Sequence, residues 1–437
     1  MCSSDLLTNM KNESTQDLIT PNPPADIDQS ENTTPSLTEA TQTWGKIGVL
    51  SFGGPATQIG LMHRLIVDEK RWLSETQFLN ALSFCMLLPG PEAMQLATYA
   101  GWRLHGITGG LIAGLMFVLP GALVMLGLGL VYVFFGTVTA VNAIFFGIKA
   151  AITVIVLQAL IRLACKTLKE RTQMTIAALS FVAIFLLQLP FPLIIATAAA
   201  HGFARNYKKS PEATKSALPS TLGTCWRIAL WLTIWWIPIL AVDVYAGTSL
   251  LAEIGYFFSK LAIVTFGGAY AVLAYMAQDV VDYLGWLSPS AMMDGLGLAE
   301  TTPGPLILVT EFVGFVAAFN KGGVWLGMAG AAIALWATFV PCFLWIFAGA
   351  PYVDWLTRQP RLQGALSSIM AAVVGVIANL FLWFALHMLF DRIIEFPVGP
   401  MQLLLPDAAR LDWRLLVIAL VCGWMAFSRH ISIFLIL

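Results

Sequence analysis

Two short stretches decide the fold that the sequence predicts: Ser51-Phe-Gly-Gly-Pro55 and Leu88-Pro-Gly-Pro-Glu92. Each interrupts an apolar segment, the first running from about Thr43 to Met62 and the second from Glu75 to Gly101. Proline and glycine break helices, and the pieces on either side of each break are too short to cross a hydrocarbon core of about 30 Å. We therefore expect either half-helices that meet inside a membrane or re-entrant hairpins, surrounded by protein or by a watery cavity.

The composition is typical of a polytopic membrane protein. Hydrophobic residues make up 58% and charged residues 11% of the 437 positions, and the mean hydropathy is +0.77. Apolar runs of roughly 18 residues or more recur along the chain, which is the length that transmembrane helices need. The expected fold class is therefore an all-α polytopic membrane protein. The net charge of −1 and the lack of a basic stripe indicate no nucleic-acid partner.

The sequence carries no motif of an enzyme or of a bound cofactor. The six cysteines are scattered without a CxxC pair and the five histidines are dispersed, so we expect neither a disulfide framework nor a metal site. There is no Walker A sequence, catalytic-triad signature or dinucleotide fingerprint. We expect a membrane protein that is not an enzyme and that uses no cofactor.

Both breaks recur, in the same order, in the second half of the chain. Thr265-Phe-Gly-Gly268 repeats the first and Thr302-Pro-Gly-Pro305 repeats the second, and the halves align without a gap from Lys46/Lys260 through Pro91/Pro305. Glycine and proline interruptions at matching places in two halves are typical of a transport site. Further aligned pairs include Asp68/Asp282, Trp72/Trp286, Leu73/Leu287, Ser74/Ser288 and, beyond a small shift of register, Pro120/Pro341 and Ile148/Ile369.

The charges of the loops predict that the second half is inverted. Lys and Arg in short loops mark the cytoplasmic side, and the loops at 162–171 and 205–215 are basic whereas the loop at 242–254 is acidic. An odd number of apolar segments separates the two copies. The prediction is therefore two inverted-topology repeats with broken or re-entrant helices near the bilayer midplane, a plan common among secondary transporters.

These boundaries divide the chain into four parts. Residues 1–41 form an acidic N-terminal tail that we expect to be disordered and cytoplasmic, since it lacks a signal-peptide pattern. Residues 42–203 form the first membrane repeat and residues 250–437 the second, inverted one. Between them, residues 204–249 provide a basic cytoplasmic linker and a connecting transmembrane span.

The breaks themselves are candidates for binding an anion. A half-helix that starts in mid-membrane presents unpaired N–H groups and roughly half a positive charge at its N-terminus, so it can bind an anion without a cationic side chain. We expect the four breaks to converge on one small anion. The residues predicted to bind it are Phe52, Gly53, Gly54, Pro55, Gln58, Pro89, Gly90, Pro91, Glu92, Gln95, Thr98, Phe266, Gly267, Gly268, Pro303, Gly304 and Pro305.

Charged residues near the breaks are candidates for charge neutralisation or coupling. They are Lys46, Arg103, Lys260 and Glu300. Because a carboxylate repels an anion, Glu92 and Glu300 are either helix-start residues stabilised by the dipole, which we favour for Glu92, or proton-linked switches. Lys149 and Glu311 lie deeper in apolar sequence, where ionisable groups are costly and often functional, but neither has a charged partner at the aligned position. The competing interpretation of all four breaks is that they are packing kinks between closely apposed helices.

The motifs around the breaks resemble those of the chromate ion transporter family. They are Ser51-Phe-Gly-Gly-Pro-Ala-Thr-Gln-Ile59, Leu88-Pro-Gly-Pro-Glu-Ala-Met-Gln-Leu-Ala-Thr-Tyr-Ala-Gly-Trp102, Phe117-Val-Leu-Pro-Gly121, Thr265-Phe-Gly-Gly-Ala-Tyr270 and Glu300-Thr-Thr-Pro-Gly-Pro305. The resemblance covers residues 42–430 and implies a long-chain, two-domain member that exports chromate across the cytoplasmic (inner) membrane. Ala269 follows Gly268 where Pro55 follows Gly54, which suggests that the two halves contribute unequally.

The expected partners are a chromate or sulfate-like oxyanion and the lipid bilayer, and a homodimer is left open. An inside-negative potential favours the departure of an anion by about 2.3 kcal/mol per charge per 100 mV, so export of a dianion needs no coupling ion. Proton coupling through Glu92 and exchange for another anion stay open as well. Three competing hypotheses concern the function itself: a transporter of sulfate or another inorganic anion acting as importer or exchanger, a lipid-phosphate enzyme, for which clustered acidic and His residues are lacking, and a sensor or scaffold.

Overall fold

The computed structural model describes residues 35–136, 138–205, 221–245, 249–266, 269–357, 359–390, 393–398, 401–407 and 410–428. This described part is almost entirely helical, which confirms the predicted all-α polytopic class. Five of its helical stretches are long and apolar enough to cross a membrane: Glu92–Phe135, Thr139–Thr167, Gly223–Val244, Leu306–Tyr352 and Pro360–Leu389.

The first break lies at the turn of a helical hairpin. Helix α1 (Leu37–Leu50) precedes the break, and α2 (Gly54–His63) follows it and continues as a π-helix over Arg64–Glu69. Lys70 Nζ, just beyond the π-helix, lies 2.7 Å from Glu39 Oε1 near the start of α1. Because the two outer ends meet, the chain must reverse at the break. Helix α1 starts ahead of the repeat boundary predicted at residue 42, because the Ser36 side chain caps it.

The second break lies in a similar hairpin that leads into a full-length helix. Helix α3 (Glu75–Cys85) starts at a Ser74 capping box, and α4 (Glu92–Phe135) bends at Gly106, where φ is 62°. A Cβ atom at Gly101 would overlap the backbone of Gly109, so the chain folds back at this bend. Residues 92–105 therefore form a short arm, and residues 107–135 form an antiparallel helix long enough to span the bilayer.

Four helices follow α4 and lead to the second half. They are α5 (Thr139–Thr167), α6 (Arg171–Phe185), α7 (Phe191–Arg205) and α8 (Thr221–Tyr245). Helices α6 and α7 have 15 residues each and form a short pair. Arg205 Nη2 lies 3.1 Å from Glu170 Oε2, so the two outer ends of this pair lie on the same side.

The second half repeats the order of hairpins and long helices seen in the first half. Its helices are α9 (Ser249–Val264), α10 (Ala269–Gln278) with a π-helix over Asp279–Tyr283, α11 (Pro289–Thr301), a 3-10 turn over Leu306–Leu308, α12 (Val309–Gly349), a 3-10 turn over Ala350–Tyr352, α13 (Val353–Thr357), α14 (Pro360–Leu389) and α15 (Trp413–Ser428). Ser288 caps α11 as Ser74 caps α3. Helix α12 bends at Gly323, where φ is 75°, and the backbones of Gly314 and Gly330 pack together across the bend.

A small antiparallel β-hairpin, which the sequence analysis did not predict, follows α14. Strand β1 (Ile393–Val398) pairs with β2 (Met401–Pro406), with Ile393 opposite Pro406. The hairpin lies between the last two helices and takes no part in the site described below.

Candidate anion site at the helix breaks

The four breaks meet through hydrogen bonds between the backbones of the two halves. The Gly90 N–H donates to the Thr265 carbonyl at 2.8 Å, and the Gly304 N–H donates to the Ser51 carbonyl at 2.7 Å. Ser51 aligns with Thr265 and Gly90 with Gly304, so these two bonds are equivalent under the repeat. The structure thus brings the predicted breaks together, and their binding of an anion stays a prediction.

Small residues on the long helices allow this close approach. A Cβ atom at Gly121 would overlap the Pro303 carbonyl oxygen, so only glycine fits against the second-half break. At the aligned position of the other half, Cys342 packs against the first-half break, and its Sγ would lie 3.0 Å from a Cβ at Gly90. Each long helix therefore supports the break of the opposite half.

The predicted polar ligands Gln58, Gln95 and Thr98 are fully buried and donate to backbone carbonyls. Gln58 Nε2 donates to the Gly304 carbonyl at 2.6 Å, Gln95 Nε2 to the Pro89 carbonyl at 2.6 Å, and Thr98 Oγ1 to the Met94 carbonyl at 2.9 Å. A broken helix leaves carbonyls without helical partners, and Gln58 and Gln95 supply donors to two of them, whereas Thr98 bonds a carbonyl one turn earlier in its own helix. In this conformation the two glutamines stabilise the breaks, and contact of the three side chains with an anion stays a prediction.

A cavity of about 230 Å³ opens beside the first break. Gly53 caps α2 in the left-handed conformation with φ of 83°, and Pro55 lies in the first turn. The N-terminus of α2 therefore borders the cavity with amide groups that have no partner within the helix. The lining consists of Gly53, Gly54, Pro55, Ala56, Glu92, Ile155, Gln158, Ala159, Arg162, Leu163, Lys166, Tyr270 and Ile377.

Two cations of α5, Arg162 and Lys166, line the same cavity and were not among the predicted site residues. The charge pattern predicts a basic loop at 162–171, but α5 continues to Thr167 and places both residues on one helical face. Gln158, one turn earlier, lines the cavity as well. The polar spacing Gln158, Arg162, Lys166 on an otherwise apolar helix is the signal that would have identified them.

One carboxylate lines the cavity, and a second is bonded to a residue that lines it. Glu92 lines the cavity at the N-terminus of its arm, close to the end of α5 that carries Lys166. Glu300, which is 3% exposed, accepts a hydrogen bond of 2.7 Å from the Tyr270 hydroxyl, and Tyr270 lines the cavity. The Tyr270 hydroxyl therefore links the Glu300 carboxylate to the cavity.

The other predicted residues are placed differently. Pro303, Gly304 and Pro305 are buried where the halves meet, whereas Phe52, Phe266, Pro89, Gly90 and Pro91 are partly buried beside the cavity or the breaks. Lys46, Arg103 and Lys260 are exposed and are not among the residues that line the cavity, and Lys260 Nζ lies 5.6 Å from the centroid of the Tyr275 ring. Gly267 and Gly268 lie outside the described residues.

The arrangement suits a small, compact anion. Two cationic side chains, one carboxylate and one helix N-terminus surround the cavity, so its local charge is positive. Charged donors of this kind bind oxyanions with short, strong hydrogen bonds. Among the described residues, no group of His, Cys, Asp and Glu side chains is placed to hold a metal ion.

Helical hairpins whose breaks meet next to a basic cavity are typical of membrane transporters with broken helices. The chain matches the family model described as "Chromate transporter" over residues 38–203 and 252–437, and it therefore belongs to the chromate transporter family. This confirms the family resemblance and the expectation of a transporter rather than an enzyme.

Named relatives agree with this assignment. The chain is 30% identical over 345 residues to a probable chromate transport protein of Synechococcus elongatus, covering 79% of this chain and 83% of the relative. It is 30% identical over 402 residues to a chromate transport protein of Pseudomonas aeruginosa, covering 88% and 91%. A chromate transport protein of Cupriavidus metallidurans is 29% identical over 340 residues, covering 76% and 79%. No solved structure matches the chain.

Proposed function

We propose that this protein is a secondary transporter that exports chromate, a tetrahedral oxyanion, across the cytoplasmic membrane. The observation that carries the proposal is the cavity in which the N-terminus of α2 meets Arg162 and Lys166. Two cations match the two charges of chromate, and a helix N-terminus adds donors without adding a titratable group.

Contacts at the two ends of one long helix support an inverted arrangement of the repeats. His105, at the bend that starts the 107–135 helix, lies 2.7 Å through its Nε2 from the Pro35 carbonyl oxygen ahead of α1. Near the other end of that helix, the Tyr132 hydroxyl donates to Asp294 Oδ2 of α11 at 3.4 Å. The hairpins of the first and second halves thus start near opposite ends of the same helix, as inverted repeats require.

The side on which the cavity lies supports export. Arg162 and Lys166 are at the end of α5 that leads into the basic residues Lys169 and Arg171, and such loops face the cytoplasm. The cavity would then load anions from the cytoplasm. A potential of 100 mV, negative inside, favours the departure of a dianion by about 4.6 kcal/mol, which supports export.

Chromate accumulation tests the proposal in cells that express the chain and in cells that carry an empty vector. We expect expressing cells to accumulate less chromate, and equal loading of the two would contradict export. Parallel assays with competing sulfate test the second candidate, a transporter of sulfate or another inorganic anion acting as importer or exchanger. Higher chromate loading that sulfate suppresses would favour that candidate.

Substitutions at the breaks test the site. Gly53 and Gly90 have φ of 83° and 119°, which side chains rarely adopt, and a Cβ at Gly90 would lie 2.8 Å from Gln95 Nε2. Gly53→Val and Gly90→Val should abolish transport and leave membrane insertion intact. Gly60→Val is the matched control, because a Cβ at Gly60 of α2 meets no atom within 4 Å. Normal transport by both break variants would favour packing kinks instead.

A further inference from the structure

A buried ion pair joins the two halves away from the anion cavity. Lys149 Nζ of α5 lies 3.5 Å from Asp294 Oδ1 of α11, and only 15% and 5% of their side-chain surfaces are exposed. Comparison of aligned positions provides no partner for Lys149, because Met370 occupies its counterpart. The structure instead pairs it with an acid whose own counterpart is Asn80. This charged pair therefore occurs once, not twice, in the repeated fold.

The Asp294 carboxylate is poorly satisfied for a buried charge. Lys149 Nζ donates its hydrogen bond to Ser290 Oγ at 2.6 Å, whereas Asp294 Oδ1 has no hydrogen-bond donor. The other oxygen, Oδ2, accepts only the 3.4 Å bond from the Tyr132 hydroxyl. A buried carboxylate without full hydrogen bonding is costly, and a proton removes that cost by neutralising it.

A cavity of about 530 Å³ gives water access to this pair. Tyr132, Lys149, Ser290 and Asp294 all line it. Among the described residues, the titratable groups that face Asp294 are Tyr132 of α4 and Lys149 of α5. Helix α12 contributes the apolar Phe312, whose ring packs against Gly295 and Tyr132. Protons can therefore reach the carboxylate, and no second acid shares its charge.

We propose that Asp294 is a proton-binding site coupled to transport, with Lys149 as its counter-ion. Binding a proton converts the carboxylate into a neutral carboxyl group, and the ion pair that ties α11 to α5 is lost. Helix α11 runs directly into the Pro303–Pro305 break, whose Gly304 bonds to Ser51 of the other half. Helix α11 therefore links the protonation site at Asp294 to the break. The coupling part of this proposal rests on the proposed function, whereas proton binding does not.

Infrared difference spectroscopy of the purified full-length protein, titrated with pH, tests proton binding independently of transport. We expect the carbonyl stretch of a buried, protonated carboxyl group to appear as the pH falls, and to be missing from Asp294→Asn. Glu253→Gln is the matched control, because Glu253 is an exposed acid on the neighbouring helix α9, and this variant should keep the band. A titrating band that is unchanged in Asp294→Asn, or no such band in the wild type, would overturn the proposal.

Proteoliposomes that contain a pH-sensitive dye test the coupling. With the membrane potential clamped, a chromate gradient should drive proton movement in the wild type and in Glu253→Gln. In Asp294→Asn, we expect the proton signal to fall to that of protein-free liposomes. Chromate flux without proton movement in the wild type would refute the coupling and leave the proposed function intact. Absence of chromate flux would instead refute the proposed function, and the infrared titration would still decide whether Asp294 binds a proton.

Discussion

Gly121→Ala is the sharpest test of the contact between the two halves. Gly121 lies on the long helix of α4, and any Cβ there would overlap the Pro303 carbonyl oxygen of the opposite break. The helix and the break must then separate by about 1 Å or more to restore van der Waals distance. The adjacent bond from the Gly304 N–H to the Ser51 carbonyl, now 2.7 Å long, would be stretched beyond hydrogen-bonding range.

The expected loss of stability is the sum of three contributions. Overpacking costs about 1–3 kcal/mol, and leaving the Gly304 and Ser51 groups unpaired in a buried place costs about 1–3 kcal/mol more. The higher helix propensity of alanine relative to glycine offsets about 1 kcal/mol of this loss of stability. We therefore expect Gly121→Ala to lower the free energy of unfolding by about 1–5 kcal/mol.

Gly127→Ala on the same helix is the matched control. A Cβ at Gly127 meets no atom within 4 Å, so this variant keeps the gain in helix propensity without the overlap. Reversible unfolding by SDS in mixed micelles measures both variants, and chromate flux in proteoliposomes measures function. We expect Gly121→Ala to be less stable than Gly127→Ala by at least about 2 kcal/mol. Equal stability of the two variants would refute the claim that this contact holds the breaks together.

Two further predictions concern charged groups. Arg162→Gln and Lys166→Gln should each weaken chromate binding by about ten- to a hundredfold, since a charge-assisted hydrogen bond contributes roughly 1.5–3 kcal/mol. Calorimetric binding measures this, with the exposed Arg103→Gln as control, and unchanged affinity in both cavity variants would contradict the site. His63, whose pKa is raised mainly by its hydrogen bond to Glu75, should stabilise the fold fully below pH about 6.5 and lose that contribution as the pH rises through the raised pKa. The contribution of His63 to the free energy of unfolding, measured over a series of pH values, should therefore fall with rising pH in the wild type and be missing in His63→Gln. The same dependence on pH in both proteins would show that His63 is not its source.

The sequence predicted the breaks because they depend on local chemistry. Glycine and proline interrupt helices wherever they stand, so Gly53 and Pro89–Pro91 mark helix breaks without knowledge of the fold. The repeated motifs then indicate that the second half does the same. The choice between half-helices and a hairpin could not be made in this way. It needed a contact between distant residues, the Glu39–Lys70 ion pair.

The cavity itself was harder to predict because the helix ends are set by tertiary packing. When the length of the apolar run alone defines a membrane segment, Arg162 and Lys166 look like loop residues. In the structure α5 continues to Thr167, so both residues lie on the helix and line the cavity. The amides of Gln58 and Gln95 were predicted as donors to an anion. Their bonding to carbonyls freed by the breaks depends on how the two halves meet, which no local pattern records.

The two halves share the hydrogen bonds between their breaks but differ in the charged residues at aligned positions. The two hydrogen bonds between breaks are equivalent, yet the positions that align with Arg162 and Lys166 hold Trp383 and His387, whose rings pack against each other at 4.1 Å. Among the described residues, it is the first half that combines a helix N-terminus with two cations of fixed charge. A transporter with a single such site reaches both sides of a membrane by moving its halves around that site, not by passing the anion to an equivalent second one.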